Sequence, residues 1–147
     1  MVHKSNYNKR KPINVRKYYF LIHEKRLLEQ NYDFLKCEIK LAKGSYILEV
    51  LGHYQQVGLD YTYKIIYDGI KDPHINIVSP IIVRNPPHVY PKDGCLCLYY
   101  PIEQPWNTNV CSLYSHIIPW VHEWIVYYEI WKITGNWEHP EVLHNNK

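Results

Sequence analysis

The pattern of apolar and polar positions divides the chain into three parts. In residues 15–30, apolar side chains at positions 20, 21, 27 and 28 have charged residues between them, which predicts a short amphipathic helix. From residue 34, short runs rich in β-branched and aromatic residues follow, namely FLKCEIKL, SYILEVLGHY, YTYKIIYDG and INIVSP. Turn formers separate these runs, among them Gly44, Gly58, Asp68-Gly69 and Asp72-Pro73. The pattern predicts an antiparallel meander of three or four strands.

The last third returns to helical spacing. Apolar residues recur every three or four positions and form one helix face: Leu113, Ile117, Val121, Trp124, Tyr128 and Trp131. Pro119 either opens this helix in its first turn or kinks it. Gly135 suits the left-handed conformation that ends many helices, so we expect the helix to stop there.

The stretch between the meander and the last helix, residues 79–106, breaks both patterns. It holds six prolines, at positions 80, 86, 87, 91, 101 and 105. Each proline fixes its own backbone and has no N–H for a sheet ladder, so neither regular sheet nor helix is expected here. Long irregular segments inside compact domains are usually functional.

The order of these elements predicts an α+β fold: helix, meander, irregular segment, helix. A length of 147 residues with 46% hydrophobic content suits one domain, which we place at residues 15–147. Residues 1–14 are predicted to form a basic N-terminal arm. Six of the 17 basic residues fall in residues 1–17, which contain no acid, and the net charge is +3. The arm is either a solvated terminus or a docking segment for an acidic partner or nucleic acid.

Other features narrow the cellular setting. The first eleven residues are polar and basic, unlike a signal peptide, and no apolar run is long enough to cross a membrane. We therefore expect a cytoplasmic protein with no membrane partner, in which all four cysteines are free thiols. Nothing beyond the arm supports nucleic acid as a partner, because the chain has no recognised binding motif.

The irregular segment contains a dense cluster of reactive residue types: PHVYPKDGCLCL at residues 87–98, with Trp106 nine residues after Cys97. This segment resembles the active site of ubiquitin-conjugating enzymes. In that family a His-Pro-Asn tripeptide precedes a Gly-x-hydrophobic-Cys-Leu motif, and a tryptophan follows. His88, Gly94, Cys97 and Trp106 stand at the corresponding positions here. The resemblance spans most of residues 15–134 and implies the ubiquitin-conjugating-enzyme-like fold.

The chain departs from the family at two positions. Val89 and Tyr90 replace the proline and the asparagine, and the asparagine supports the oxyanion during transfer. Tyr90 is a candidate to take over that role. The His-x-Tyr variant and the motifs at residues 117–120, 128–131 and 134–137 are most similar to the prokaryotic ubiquitin-conjugating-like proteins of CBASS antiphage operons.

This resemblance implies a catalytic set and a partner. Cys97 would be the thioester-forming nucleophile, and His88 either braces the loop or transfers a proton. Trp106 packs in the core or lines the substrate channel, and Cys95 packs inside or accepts an acyl group as a second thiol. The partner would be a cyclic-oligonucleotide synthase, a cGAS/DncV-like nucleotidyltransferase, whose C-terminus the cysteine handles. No cofactor is predicted.

Other interpretations of these residues stay open. Cys97 could be an inert buried thiol. Zinc on Cys95, Cys97, Cys111 and a histidine is disfavoured, because a Cys-x-Cys pair is tighter than the usual ligand spacing, so no metal site is predicted. His139 and His144 are expected to be solvated tail residues. The chain could also be a partner-binding adaptor of the same fold, or a cysteine peptidase acting on a protein C-terminus.

Overall fold

The computed structural model describes residues 14–99 and 104–138. Helix α1 (Val15–Asn31) precedes four strands, which are β1 (Leu35–Ala42), β2 (Ser45–Gln56), β3 (Leu59–Tyr67) and β4 (His74–Ser79). A π-helical turn (Leu113–Ile117) then leads into helix α2 (Ile118–Thr134). The four strands pair antiparallel in the order β1-β2-β3-β4. The predicted α+β class and the meander are therefore confirmed, whereas the predicted arm lies outside the described residues except for Asn14.

Helix α1 forms because its apolar residues make a buried stripe and its first turn is capped. The side chain of Asn14 accepts a hydrogen bond of 3.1 Å from the backbone N–H of Lys17, as an N-cap residue does. Leu21 and Leu28 are fully buried on the stripe. Glu24 lies between them and is 3% exposed, and its Oε2 accepts a hydrogen bond of 3.1 Å from the N–H of Leu113. This carboxylate ties α1 to the start of the π-helical turn.

The core lies on one face of the sheet. Alternate residues of β2 and β3 are buried, as expected for strands with one face against a helix layer. At the centre, the hydroxyl of Tyr63 lies 2.9 Å from Nε2 of His122 on α2. Gly52 pairs with Tyr63 across the two strands, and a Cβ there would lie 2.2 Å from the tyrosine ring. Only glycine therefore leaves room for the ring.

Helix α2 confirms the predicted apolar face, with one difference at its start. Leu113 and Ile117 are buried as expected, but they lie in the π-helical turn, and the α-helix begins at Ile118. Pro119 therefore stands in the first turn of the α-helix, directly after the π-helical turn, in which the N–H of Ile118 donates to the carbonyl of Leu113. The helix ends as predicted at Gly135, whose φ is 77° and whose N–H donates to the carbonyl of Trp131.

After Ser79, the last residue of β4, the proline-rich segment is irregular wherever it is described, as predicted, apart from one isolated bridge between Val89 and Leu96. It is nevertheless anchored to both layers of the fold. The N–H of Val83 donates to the hydroxyl of Tyr128 on α2 at 3.0 Å, and the N–H of Leu96 donates to the carbonyl of Ile75 on β4 at 2.8 Å. Neither helix within residues 14–99 and 104–138 is long and apolar enough to span a membrane.

Candidate active site

Cys97 lies at the end of a tight turn that backbone hydrogen bonds close. Val89 and Leu96 form an antiparallel bridge, and the N–H of Cys97 donates to the carbonyl of His88 at 2.8 Å. The N–H of Tyr90 donates to the carbonyl of Cys95 at 2.9 Å. These bonds bring His88 and Tyr90 beside Cys97, so the spacing that the sequence motif indicated becomes a spatial cluster.

The tip of this turn depends on two short-range features. Gly94 has a φ of 71°, a left-handed conformation that glycine adopts without steric cost, and its N–H donates to the carbonyl of Tyr90 at 2.9 Å. Oδ1 of Asp93 accepts a hydrogen bond of 3.0 Å from the N–H of Cys95. The carbonyl of Asp93 in turn accepts from the side-chain amide of Asn76 on β4 at 3.3 Å. The turn is thus fixed both internally and against the edge of the sheet.

His88 has an unusual backbone conformation. Its φ is 56°, in the left-handed region that few non-glycine residues occupy. Such conformations persist where the surrounding structure imposes them, and they cluster at functional sites. Here the bond from Cys97 to the His88 carbonyl holds the backbone, and the imidazole lies against the ring of Trp137, with centroids 5.0 Å apart.

The polar side chains around Cys97 favour its thiolate. The imidazole of His88 and the hydroxyl of Tyr90 both hydrogen-bond to the Cys97 sulfur. The bond from His88 lowers the pKa of Cys97; burial opposes this shift, and the bond from Tyr90 adds to it. The same bond to Cys97, together with burial, raises the pKa of Tyr90, so its hydroxyl keeps its proton and can donate it. In its thiol form Cys97 donates to the carbonyl of Tyr99, with Sγ 3.4 Å from the oxygen.

Cys95 has the opposite environment although it is only two residues away. It is 6% exposed, and its sulfur accepts a hydrogen bond from the N–H of Ile75 at 3.4 Å. Burial raises the pKa of Cys95, so its thiolate is disfavoured. These observations favour the packing role over the role of a second acyl acceptor.

A shallow cleft adjoins Cys97 and offers a place for a substrate. Its walls come from the loop and first residues of β4 (72–75), from the turn (90 and 93) and from residues 95–99. Tyr90 stands at this cleft with 41% of its surface exposed. The Tyr99 hydroxyl is buried without a hydrogen-bond partner in the described part of the chain. Asp72 is near enough to help raise the pKa of Tyr99, although burial is the larger cause.

Trp106 packs into an aromatic cluster beside the site. Its indole N–H donates to the hydroxyl of Tyr67 at 3.2 Å, and its ring lies 6.2 Å from that of Tyr99. Because the carbonyl of Tyr99 contacts Cys97, this cluster supports the cysteine through Tyr99. The geometry is that of a packing residue next to the site.

Sequence reasoning missed the parts that Tyr99 and Trp137 play. Tyr99 follows the motif directly and could have been suspected from its position. Trp137 lies in the motif at residues 134–137, which carried no site role; the chain turns at the left-handed Gly135, and Trp137 lies against His88. Within residues 14–99 and 104–138, no three histidine, cysteine or acidic side chains lie close enough to hold a metal ion. His139 and His144 lie outside the described residues.

Comparison with known protein families agrees with this geometry. A family model described as Type II CBASS E2 protein matches residues 24–145. The match covers most of the chain, so the protein belongs to the CBASS E2 family, and a role in CBASS antiphage systems follows from that membership. The resemblance noted in the sequence is confirmed. No curated protein matches the chain significantly.

Proposed function

We propose that this protein is an acyl carrier of the ubiquitin-conjugating type. Cys97 accepts the C-terminal acyl group of a partner protein as a thioester and passes it to an amine. The observation that carries the proposal is the half-buried Cys97 sulfur at an open cleft, hydrogen-bonded by His88 and Tyr90. The family match supports it, because membership of the CBASS E2 family points to a ubiquitin-conjugating-like activity.

The chemistry needs two balanced steps. In the first, the Cys97 thiolate attacks the carbonyl carbon of an activated acyl donor, such as a thioester or an acyl phosphate; the S–C bond forms and the donor's leaving group departs. In the second, an amine attacks the same carbon, the C–N bond forms, the C–S bond breaks with Cys97 leaving as thiolate, and the amine gives up one proton to solvent. A thiol of lowered pKa suits both steps, since it is a ready nucleophile and a good leaving group.

Tyr90 is suited to the role that an asparagine plays in the resembled family. Its hydroxyl reaches the sulfur, and its raised pKa keeps it a hydrogen-bond donor at neutral pH. A donor at this position can stabilise the oxyanion that forms on the carbonyl next to sulfur. In this proposal His88 stabilises the Cys97 thiolate, and Tyr90 stabilises the oxyanion in the transition state.

The partner we propose is a cGAS/DncV-like nucleotidyltransferase, whose C-terminal carboxyl group forms the thioester. The support is the CBASS family membership together with the resemblance noted in the sequence. The amine acceptor enters by the cleft beside residues 72–75, which leads to Cys97.

The test is intact-mass spectrometry of the protein co-expressed with the neighbouring genes of its operon. Wild-type protein should carry an adduct that reducing thiols remove. Cys97→Ser should replace it with an adduct that resists thiols, because serine forms an oxyester. Cys95→Ser is the matched control, two residues away, and should keep the thiol-labile adduct. An adduct that is unchanged in Cys97→Ser but lost in Cys95→Ser would overturn the assignment of the nucleophile.

A cysteine peptidase is a second candidate, because a histidine hydrogen-bonded to a cysteine is also the nucleophile–base pair of such enzymes. In that case water would replace the amine, and the partner would lose a C-terminal peptide without forming a conjugate. The same mass measurement separates the two activities. A partner that binds tightly without adduct or cleavage, and full antiphage function in Cys97→Ala, would instead indicate an adaptor.

A further inference from the structure

The ring of His88 is held from a part of the chain that lies far away in sequence. Trp137, which follows the end of α2, stands against the imidazole with ring centroids 5.0 Å apart and an interplanar angle of 45°. Trp137 is partly buried, and it follows the left-handed Gly135 that reverses the chain at the helix end. Residues 49 positions apart therefore meet beside Cys97.

Trp137 is itself fixed by α2. Its ring lies 6.0 Å from Trp124 and 6.2 Å from Tyr127. Trp124 is stacked on Tyr128, with centroids 4.9 Å apart and an angle of 11°, and the Tyr128 hydroxyl accepts the N–H of Val83. The same pair of α2 side chains therefore anchors both Trp137 and the segment that leads into His88.

Backbone bonds alone leave the direction of the imidazole unset. The His88 carbonyl receives the N–H of Cys97, which fixes the peptide but not the side-chain torsions. The Trp137 ring packs beside the imidazole at 45° and restricts those torsions. An aromatic ring beside the imidazole also gives it a favourable ring–ring contact that an aliphatic side chain does not offer.

We infer that Trp137 is a positioning residue, which orients the His88 ring toward the Cys97 sulfur and so sets the reactivity of that thiol. This inference deepens the proposed function and rests on the same cysteine. Trp137 acts through His88 and does not need to touch the substrate.

The test measures Cys97 alkylation by iodoacetamide, resolved by peptide mass, from pH 5.5 to 9. Because it needs no partner or acyl donor, its result is independent of the adduct measurement. At pH 6.5, Trp137→Ala should slow alkylation of Cys97 roughly fivefold and move the rise of the profile to higher pH. Trp137→Phe should stay within about twofold of wild type, because it keeps an aromatic ring.

Two further variants separate positioning from folding. Trp137→Leu fills the space against Trp124 without an aromatic face, and we expect it to react like the alanine variant while melting close to wild type. Trp131→Ala removes a neighbouring tryptophan of α2, whose ring lies 6.1 Å from Tyr128, and should leave the Cys97 profile unchanged.

A double variant decides whether Trp137 works through His88. In the His88→Ala background, Trp137→Ala should have no further effect on the Cys97 profile. Equal losses with and without His88, or an unchanged profile in Trp137→Leu, would overturn the inference. If Trp137→Ala shifts the Cys97 alkylation profile as expected but wild-type protein carries no partner adduct, Trp137 remains a positioning residue and the acyl-carrier proposal is rejected.

Discussion

The helix–sheet core and the turn around Cys97 both pair tyrosine with histidine, but they use the pair differently. In the core, the Tyr63 hydroxyl meets His122, and burial lowers the pKa of His122 to about 4, so this imidazole stays neutral at physiological pH. At the turn, His88 and Tyr90 both bond to a sulfur that lines an open cleft. The first pair satisfies polar atoms inside the fold, whereas the second lowers the pKa of Cys97 and favours its thiolate.

A tyrosine and a histidine thus take different roles in the two regions, according to the groups that they face. Substitutions in the core should therefore lower stability and leave Cys97 reactivity unchanged. Substitutions at the turn should lower Cys97 reactivity and leave stability unchanged.

The largest effect on stability is expected at Gly52. A Cβ in Gly52→Ala would lie 2.2 Å from the Tyr63 ring, so the ring must move and its bond to His122 must break. Overpacking of this kind costs about 3 kcal/mol of unfolding free energy, measurable by urea titration. The folded fraction should still alkylate Cys97 at the wild-type rate.

Gly44→Ala is the control for this substitution. Gly44 has a φ of 75° but nothing within 4 Å of a new Cβ, so only the conformational cost of about 1 kcal/mol is expected. An equal loss of unfolding free energy in both variants would mean that the clash with Tyr63 does not contribute.

A smaller effect is expected at the buried carboxylate of Glu24. Glu24→Gln keeps an acceptor for the Leu113 N–H, whereas Glu24→Met has the same length without one. The methionine variant should therefore be about 2 kcal/mol less stable than the glutamine variant, because a buried N–H loses its partner. Thermal or urea unfolding measures the difference.

The pH dependence of Glu24 has a definite sign. Burial raises its pKa above the ordinary 4.5, so the fold favours the protonated acid. The stability from this group is fully present below pH 4.5 and is lost as the pH rises through the raised pKa. Glu24→Gln, which is always neutral, should gain on wild type as the pH rises toward 7. A constant difference between pH 4 and pH 7 would contradict the raised pKa.

At the turn, we expect little change in the free energy of unfolding but a specific change in the rate of Cys97 alkylation. His88→Ala should slow Cys97 alkylation at pH 6.5 by roughly tenfold, since a hydrogen bond to a charged group contributes about 1.5 kcal/mol. Tyr90→Phe should slow it by roughly threefold, because its bond lowers the Cys97 pKa less than that of His88. Both deficits should shrink as the pH rises above the Cys97 pKa, where every variant is thiolate.

The other cysteines provide an internal control in the same digest. Burial raises the pKa of Cys37 to about 11, so its slow alkylation should not respond to either substitution. Tyr90→Phe should melt within about 0.5 kcal/mol of wild type because Tyr90 is exposed, and His88→Ala within about 1 kcal/mol because its ring is only partly buried. If His88→Ala or Tyr90→Phe lost much stability without changing the Cys97 alkylation profile, the turn would act as part of the core, and the two regions would not be separable.

The sequence predicted the fold well where periodicity is strong. The strands of the meander and the face of α2 follow from alternation and from three-to-four spacing, which local chemistry determines. The exact start of α2 did not follow, because a three-to-four spacing of apolar residues does not distinguish an α-helical from a π-helical turn at residues 113–117.

For the candidate site, the sequence could group only residues that lie close together along the chain. The motif identified Cys97, His88 and Tyr90 because they lie within ten residues of each other, and a tight turn brings them together. Trp137 could not be assigned to His88 in the same way. Its contact depends on the length of α2 and on the reversal at Gly135, which are properties of the folded chain.

Site-resolved mass spectrometry of the protein purified with its operon partners decides whether Cys97 carries an acyl group. If it does, the peptide that contains Cys97 carries an adduct, and a reducing thiol removes it with release of a partner whose C-terminal residue is intact. The Cys95 sulfur lies on the same peptide, so fragmentation must assign the bond. An adduct on Cys95, or partner binding with an unmodified Cys97 under conditions that preserve thioesters, would contradict the account.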